Sequence, residues 1–173
     1  MSVIKVILSI LYNVTMKKIV SLKELSRLIP KISGKKIVLV GGCFDLLHYG
    51  HLTFLKNAKK AGDFLIVALE SDDFIKKNKS RASIHNQNQR AEILASLNAV
   101  DLIVKLPLLN SDEEYSGLVK LIKPSVIAVT KGDEQVKNKM RQAKMIGAKV
   151  LTVTNLLDLF SSNNILKILN PEP

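Results

Sequence analysis

Two histidines three residues apart, His48 and His51, lie where an apolar run gives way to a stretch with helical character. The run at 36–40 is typical of a strand, and the stretch at 50–61 is typical of a helix. At such a junction the first backbone N–H groups of the helix are free to bind an anion, and the helix dipole favours negative charge. Two imidazoles add hydrogen-bond donors, so the segment predicts a site for a phosphorylated ligand.

Segments with strand and helix character alternate along the chain, which predicts parallel strands joined by right-handed crossovers. Ser21 and Glu24 form a capping-box pattern at one helix start, and Ser111 caps another. The polar, basic segment 71–88 is predicted to be a long loop. The expected fold is α/β: a doubly wound, Rossmann-like sheet of about five parallel strands with helices on both faces. The predicted strands are 36–40, 63–70, 101–105, 125–129 and 149–153, and the predicted helices are 21–29, 50–61, 89–98, 111–122, 134–146 and 161–169.

The chain of 173 residues carries a formal net charge of +11, which suits anionic partners such as nucleotides, phosphosugars, nucleic acid or a membrane surface. A lysine-rich solvated surface would give the same charge. A hydrophobic content of 47% with 24% charged residues excludes a disordered chain. An aromatic content of 5% without tryptophan is poor for stacking nucleic-acid bases, so no nucleic-acid partner is expected.

The single cysteine, Cys43, permits no internal disulfide and fits a reducing, cytoplasmic compartment. Residues 1–16 are expected to form an N-terminal extension whose role stays open, ahead of a single domain at 17–173. Within that extension, residues 3–14 are mostly apolar, but the run is too short to span a bilayer. No stable membrane insertion is expected.

The segment GCFDLLHYGH at 42–51 resembles the G-x-F-D-x-x-H-x-G-H signature of the H-x-G-H nucleotidyltransferase superfamily, in its cytidylyltransferase-like branch. The resemblance covers 17–169 and is greatest to the adenylyltransferase domain of ADP-heptose synthesis and to glycerol-3-phosphate cytidylyltransferase. It implies nucleotidyl transfer, in which an acceptor phosphate attacks the α-phosphorus of a nucleoside triphosphate and pyrophosphate leaves. It also implies Mg²⁺ that the nucleotide carries, with no metal site on the protein. Such a reaction depends on aligning two anions and neutralising their charge.

The resemblance further implies which residues act. His48 and His51 would donate to the triphosphate, and a loop with Lys79 and Arg81 would close over the phosphates as a lid. Lys77 is a second candidate for the lid lysine. The implied catalytic residues are His48, His51, Lys79 and Arg90; the implied nucleotide-binding residues are Gly42, Cys43, Phe44, His48, His51, Gly132, Asp133, Ser161, Ser162 and Asn163; the implied acceptor-binding residues are Asp45, Arg81 and Arg90.

Simpler interpretations stay open for several of these residues. The lid segment also fits a solvated basic loop, and Gly132 with Asp133 fits a plain turn. The other simple interpretations are core packing for the Phe44 ring, a small apolar strand-end residue for Cys43, a turn residue for Asp45, and an ordinary helix cap for 161–163.

The preferred prediction is a homodimeric enzyme that uses ATP and a sugar 1-phosphate of the heptose type. The lack of arginine at 153–159 and the Lys131–Asp133 segment favour adenylyl transfer. The first alternative is a CTP-dependent enzyme acting on glycerol 3-phosphate. A second alternative, motivated by the +11 charge and by Asn163 in place of serine or threonine, is a non-catalytic relative that binds nucleotide or nucleic acid.

Overall fold

A single parallel sheet of six strands, ordered β1-β4-β3-β2-β5-β6, forms the centre of the computed structural model, which describes residues 17–155 and Ile165. All of its strand pairs are parallel. Strand β3 is buried at every position, as expected for a strand covered on both faces. The strands are β1 (Ile19–Ser21), β2 (Ile37–Gly42), β3 (Phe64–Leu69), β4 (Leu102–Lys105), β5 (Val126–Thr130) and β6 (Lys149–Thr154).

Helices cover both faces of this sheet. They are α1 (Leu22–Leu28), α2 (Tyr49–Lys59), α3 (Asp72–Lys79), α4 (Gln87–Ala95), α5 (Asp112–Ile122) and α6 (Val136–Ile146), with a short 3₁₀ helix at Ile29–Ile32. One core cluster takes its buried helix residues from α1, α5 and α6. The opposite cluster takes them from α2 and α4. The doubly wound α/β fold predicted from the alternating pattern is therefore confirmed.

The order of the strands places a crevice at the carboxyl edge of the sheet. From β2 the chain proceeds through β3 to β4 on one side, and then returns to add β5 and β6 on the other side of β2. Ligands bind outside the strand ends at such a reversal point in open α/β sheets. The loop from β2 to α2, which contains both histidines, starts at this crevice.

The sheet has one strand more than the predicted number of about five. Strand β1 pairs with β4 in register Ile19 with Ile103, and Val20 within it is buried. Three residues at a sheet edge are too short to show the alternation by which a strand is recognised in a sequence. The capping box predicted for Ser21 and Glu24 is confirmed at the start of α1.

The predicted loop at 71–88 is wrong, because its first half is helix α3. The Ser71 side chain caps this helix by accepting the N–H of Phe74 at 3.1 Å, and two aspartates occupy the first turn. Ile75 anchors the helix in the protein interior, fully buried. The helix ends at Lys79, and the residue that follows, Ser80, has a left-handed φ of 53°.

The predicted extension at 1–16 and the predicted helix at 161–169, except for Ile165, lie outside the described residues. Within residues 17–155 and Ile165, no helix is long and apolar enough to cross a membrane.

Candidate active site

The β2–α2 corner, residues 42–51, begins with a tightly packed turn. A side chain at Gly42 would place its Cβ 3.0 Å from the Phe44 ring, so any larger residue would require this ring to shift. Phe44 is buried and has a φ of 46°. A bulky residue in this left-handed region is strained, and such strain persists where the surroundings determine the conformation, often at functional sites. The core packing expected for the Phe44 ring is what the structure shows.

His48 forms the N-cap of α2. Its Nδ1 accepts a hydrogen bond from the backbone N–H of His51 at 3.3 Å, which places the ring proton on Nε2 when the imidazole is neutral. The His51 ring stacks on the His48 ring with 3.7 Å between centroids and 21° between planes. The structure therefore brings the two histidines together as one unit at the start of a helix.

Both imidazoles are held in their neutral form at neutral pH. Burial lowers the pKa of His48, and burial together with the charge of His48 lowers the pKa of His51 to about 4. A hydrogen bond to the backbone of Leu46 partly opposes the shift at His51. The His51 Nδ1 atom is buried and finds no hydrogen-bond partner within the described part of the chain. Within the part of the chain that the structure describes, the corner thus offers the N–H of His48 as a donor and a ring nitrogen of His51 without a partner.

Asp45 fixes the loop between α3 and α4 to the corner. Its carboxylate, 2% exposed, accepts from Arg81 Nη1 at 2.6 Å and from the backbone N–H of Ile84 at 2.8 Å and of His85 at 3.4 Å. Both oxygens are thus engaged by the protein. An acceptor-binding role for Asp45 and Arg81 stays a prediction, and the observed contacts make this pair an anchor of the loop.

Arg90 is more deeply buried than its predicted contact with substrate would require. Its side chain is fully buried, and its nitrogens donate to the Cys43 carbonyl, the His85 carbonyl and Asp72 Oδ1. In this arrangement the guanidinium holds the corner, the loop and α3 together, and a direct contact with substrate would require its release. The predicted catalytic and acceptor-binding roles of Arg90 stay predictions, and the observed contacts make this residue a link between the corner, the loop and α3.

The two candidate lid lysines lie in different surroundings. The charge of Lys79 acts on both Cys43 and His51, which opposes the rise that burial causes in the pKa of the Cys43 thiol. Lys77 Nζ instead donates to Asn110 Oδ1 at 3.0 Å. The structure therefore favours Lys79 as the cation beside the corner.

The turn after β5 brings its predicted pair to the same edge of the sheet. Gly132 has a φ of 80°, a conformation that favours glycine. Asp133 accepts from the backbone N–H of Gln135 at 2.8 Å and pairs with Lys139 Nζ at 2.7 Å. The aspartate thus helps to start α6, and its predicted contact with a nucleoside stays a prediction. The predicted triad 161–163 lies outside the described residues.

A model of the cytidylyltransferase-like family matches residues 39–165, which includes the corner, the loop and the turn after β5. The chain belongs to this family. This cytidylyltransferase-like protein is accordingly a nucleotidyltransferase, as the sequence predicts.

Curated relatives of this cytidylyltransferase-like chain are longer proteins. It is 34% identical over 155 residues to the bifunctional protein HldE of Campylobacter fetus, covering 89% of this chain and 31% of the relative. It is 40% identical over 148 residues to the bifunctional protein HldE of Aliarcobacter butzleri, covering 84% and 29%. The chain thus spans less than a third of the length of these relatives.

Solved structures support the fold. A lipopolysaccharide core biosynthesis protein from Thermoplasma volcanium has a TM-score of 0.56 at 26% identity, covering 71% of this chain and 97% of that one. A pantoate–β-alanine ligase from Francisella tularensis has a TM-score of 0.59 at 21% identity, covering 80% and 67%. The second likeness concerns the fold alone.

Sequence reasoning missed one buried acid in this cytidylyltransferase-like site. Glu70 directly follows β3, is 7% exposed, and accepts from the Tyr115 hydroxyl at 3.0 Å. A charged residue at the end of a fully apolar strand, on the edge where ligands bind, was the available signal.

Proposed function

We propose that this protein transfers a nucleoside monophosphate from ATP to the phosphate of a heptose 1-phosphate, with release of pyrophosphate. The observation that carries the proposal is the stacked His48–His51 pair at the start of α2. In the reaction an acceptor phosphate oxygen forms a bond to the α-phosphorus, and the bond from that phosphorus to the bridging oxygen of pyrophosphate breaks. No side chain has to act as nucleophile.

The corner suits the charge that develops during this transfer. The His48 Nε2–H and the backbone N–H of Gly50 at the start of α2 donate to the phosphoryl oxygens, and Lys79 supplies positive charge nearby. An anion beside the buried Nδ1 of His51 raises the pKa of that ring, because it favours the protonated form. A proton taken up there turns His51 into a second donor. Arg90 and Asp45 act indirectly, by fixing the corner and the adjacent loop.

Mg²⁺ enters this proposal as part of the substrate, bound to the triphosphate. Among residues 17–155 and Ile165, no three His, Cys, Asp or Glu side chains lie together in a group that could hold a metal ion.

The choice of acceptor and base rests on similarity. The resemblance to the adenylyltransferase domain of ADP-heptose synthesis and the relatives named HldE support ATP and a heptose phosphate. The solved relative described as a lipopolysaccharide core biosynthesis protein supports a sugar phosphate. The family assignment favours an enzyme over the non-catalytic alternative.

CTP is the second candidate donor, with glycerol 3-phosphate as acceptor. The observation that favours it is the match to the cytidylyltransferase-like family itself. We also propose one domain at 17–173, a homodimer by family resemblance, and a reducing compartment, which the single cysteine supports.

The experiment is a measurement of pyrophosphate release over a matrix of ATP, CTP, GTP and UTP against a heptose 1-phosphate, mannose 1-phosphate and glycerol 3-phosphate. The proposal predicts the highest kcat/KM for ATP with the heptose 1-phosphate. Highest turnover of CTP with glycerol 3-phosphate would establish the second candidate, and no release with any pair would contradict both.

A further inference from the structure

A cavity of about 400 Å³ opens at the carboxyl edge of the sheet, on the face opposite α2. Its floor consists of residues from β2, β3 and β5, and its walls come from α3, α5 and α6. Gly42 and Cys43 line one end, so the cavity is continuous with the β2–α2 corner. Its volume lies within the roughly 300–1,000 Å³ of small-molecule sites. A ligand with its phosphate at the corner therefore has space for the rest of the molecule here.

Glu70 provides an unused polar group in this cavity. Oε1 accepts from the Tyr115 hydroxyl at 3.0 Å, whereas Oε2 is buried and has no hydrogen-bond partner among residues 17–155 and Ile165. A buried polar atom without a partner costs about 1–3 kcal/mol. A ligand hydroxyl would remove this cost, which is the physical reason to look for one.

The remaining polar lining suits a ligand that carries several hydroxyl groups. An amide side chain both donates and accepts, which matches a hydroxyl group in either role. Lys139, which lines the cavity from α6, is already paired with Asp133. The amide residues that line the cavity are Asn78, Asn110, Gln135, Asn138 and Gln142.

We propose that this cavity binds the sugar ring of the acceptor and that the free carboxyl oxygen of Glu70 hydrogen-bonds one of its hydroxyl groups. The inference rests on the proposed function, because the acceptor phosphate must lie at the corner for its ring to enter the cavity. Glu70 is then a residue that determines acceptor specificity. A short acceptor such as glycerol 3-phosphate fills less of the cavity and gains less from it.

The protonation of Glu70 makes this contact depend on pH. Burial raises the pKa of Glu70 to about 7, against the Tyr115 hydrogen bond and the charges of Lys139 and Arg90. Cys43, Lys77 and Asp112 also face this end of the cavity. Below pH 7 the neutral carboxyl group can donate as well as accept. Above pH 7 the carboxylate is negative beside an anionic acceptor, so acceptor binding weakens.

The test compares Glu70→Leu and Glu70→Gln with the control Glu92→Gln, which replaces an exposed acid on α4 by its amide. With a heptose 1-phosphate at pH 6, Glu70→Leu is expected to raise the acceptor KM by about tenfold, the loss of one buried hydrogen bond, and to leave the ATP KM within about twofold. Glu70→Gln is expected to keep the acceptor KM within about threefold of wild type at pH 6, because an amide still accepts and donates. The same variant should abolish the rise in acceptor KM between pH 6 and 8.

Three results would overturn the inference. An unchanged acceptor KM in Glu70→Leu would show that Glu70 does not contact the acceptor. A selective rise in the ATP KM would show that the cavity holds the nucleoside. A pH dependence preserved in Glu70→Gln would show that another group titrates.

Direct binding separates this inference from the proposed function. Calorimetric titration of a heptose 1-phosphate into wild type and Glu70→Gln, without nucleotide, at pH 6 and 8 reports on the cavity alone. Binding that weakens with pH in wild type only supports the inference even where no nucleotidyl transfer occurs. Binding unaffected by the substitution at both pH values contradicts it even where transfer does occur.

Discussion

The β2–α2 corner and the Glu70 cavity meet at the same edge of the sheet, but they lie on its two faces. Burial shifts the pKa of a titratable group in opposite directions at the two places. At the corner, burial lowers the pKa of His51 from 6.5 to about 4. At the cavity, burial raises the pKa of Glu70 from 4.5 to about 7. Both groups are therefore neutral in the folded protein between about pH 4 and about pH 7. In this pH range neither group carries a charge before the substrates bind. The charge of the site then comes from the substrate anions and from Lys79.

The two regions also differ in how their residues are distributed along the chain. The corner is built from ten consecutive residues, 42–51, so its types and spacing are visible in the sequence. The cavity combines β2, β3, β5, α3, α5 and α6, which only the fold brings together. A contiguous motif can be recognised before the structure is known, whereas an assembled pocket cannot.

The largest expected effect is at the corner. Replacing His48 or His51 with alanine removes a donor to the developing phosphoryl charge and is expected to lower kcat by roughly 10²–10³-fold. Pyrophosphate release under saturating substrates measures it. His85→Ala is the matched control, because the bonds of His85 to Asp45 and Arg90 use its backbone atoms. Equal turnover in all three variants would remove the corner from the mechanism.

Next in size is the connection between the corner and the loop. Arg90→Met leaves the Cys43 and His85 carbonyls and Asp72 without their buried donor, so the free energy of unfolding should fall by about 3 kcal/mol. Urea denaturation measures the loss. Arg27→Met, on the exposed face of α1, should change it by less than about 0.5 kcal/mol. Similar values for both variants would mean that Arg90 does not position the corner.

The free energy of unfolding should depend on pH in opposite directions for the two regions. Between pH 4.5 and 7 folded Glu70 holds a proton that the unfolded chain releases, so its contribution to stability is lost as pH rises. Between pH 6.5 and 4 the unfolded chain binds a proton that folded His51 does not, so stability is lost as pH falls.

Glu70→Gln isolates the first of these contributions. Relative to wild type, this variant should gain about 2.5 kcal/mol in the free energy of unfolding between pH 5 and 8. Denaturant titrations at both pH values provide the measurement, with Glu92→Gln as control. A constant difference from wild type would show that Glu70 is ionised throughout this range.

The smallest expected effect concerns the loop itself. Asp45→Asn removes the acceptor for Arg81 and should destabilise the loop locally by about 2 kcal/mol. Limited trypsin digestion should then cut faster after Lys79 and Arg81 than in wild type or in the exposed control Asp73→Asn. Unchanged cleavage together with a raised acceptor KM would restore the acceptor-binding role predicted for Asp45.

The difference between a contiguous corner and an assembled cavity also explains how much the sequence could predict. The histidine corner, the alternating fold and the caps at Ser21 and Ser111 all follow from local signals and are present in the structure. The signals that identified Ser111 were equally present at Ser71, with two aspartates after the cap, but the basic residues that follow favoured a loop interpretation. Local capping chemistry outweighed polar composition there.

Two other residues show where sequence reasoning ends. The role predicted for Arg90 stays a prediction, whereas its complete burial depends on Asp72 and on two carbonyl groups elsewhere in the fold. The free oxygen of Glu70 depends on how α5 places Tyr115. Side-chain partners of this kind are set by tertiary packing and leave no periodic trace in the chain.

The most direct test is a crystal structure with a non-hydrolysable ATP analogue and Mg²⁺. We expect a phosphate oxygen within about 3.2 Å of His48 Nε2 and of the backbone nitrogen of Gly50. Density for the analogue elsewhere, with no phosphate at the two histidines, would contradict it.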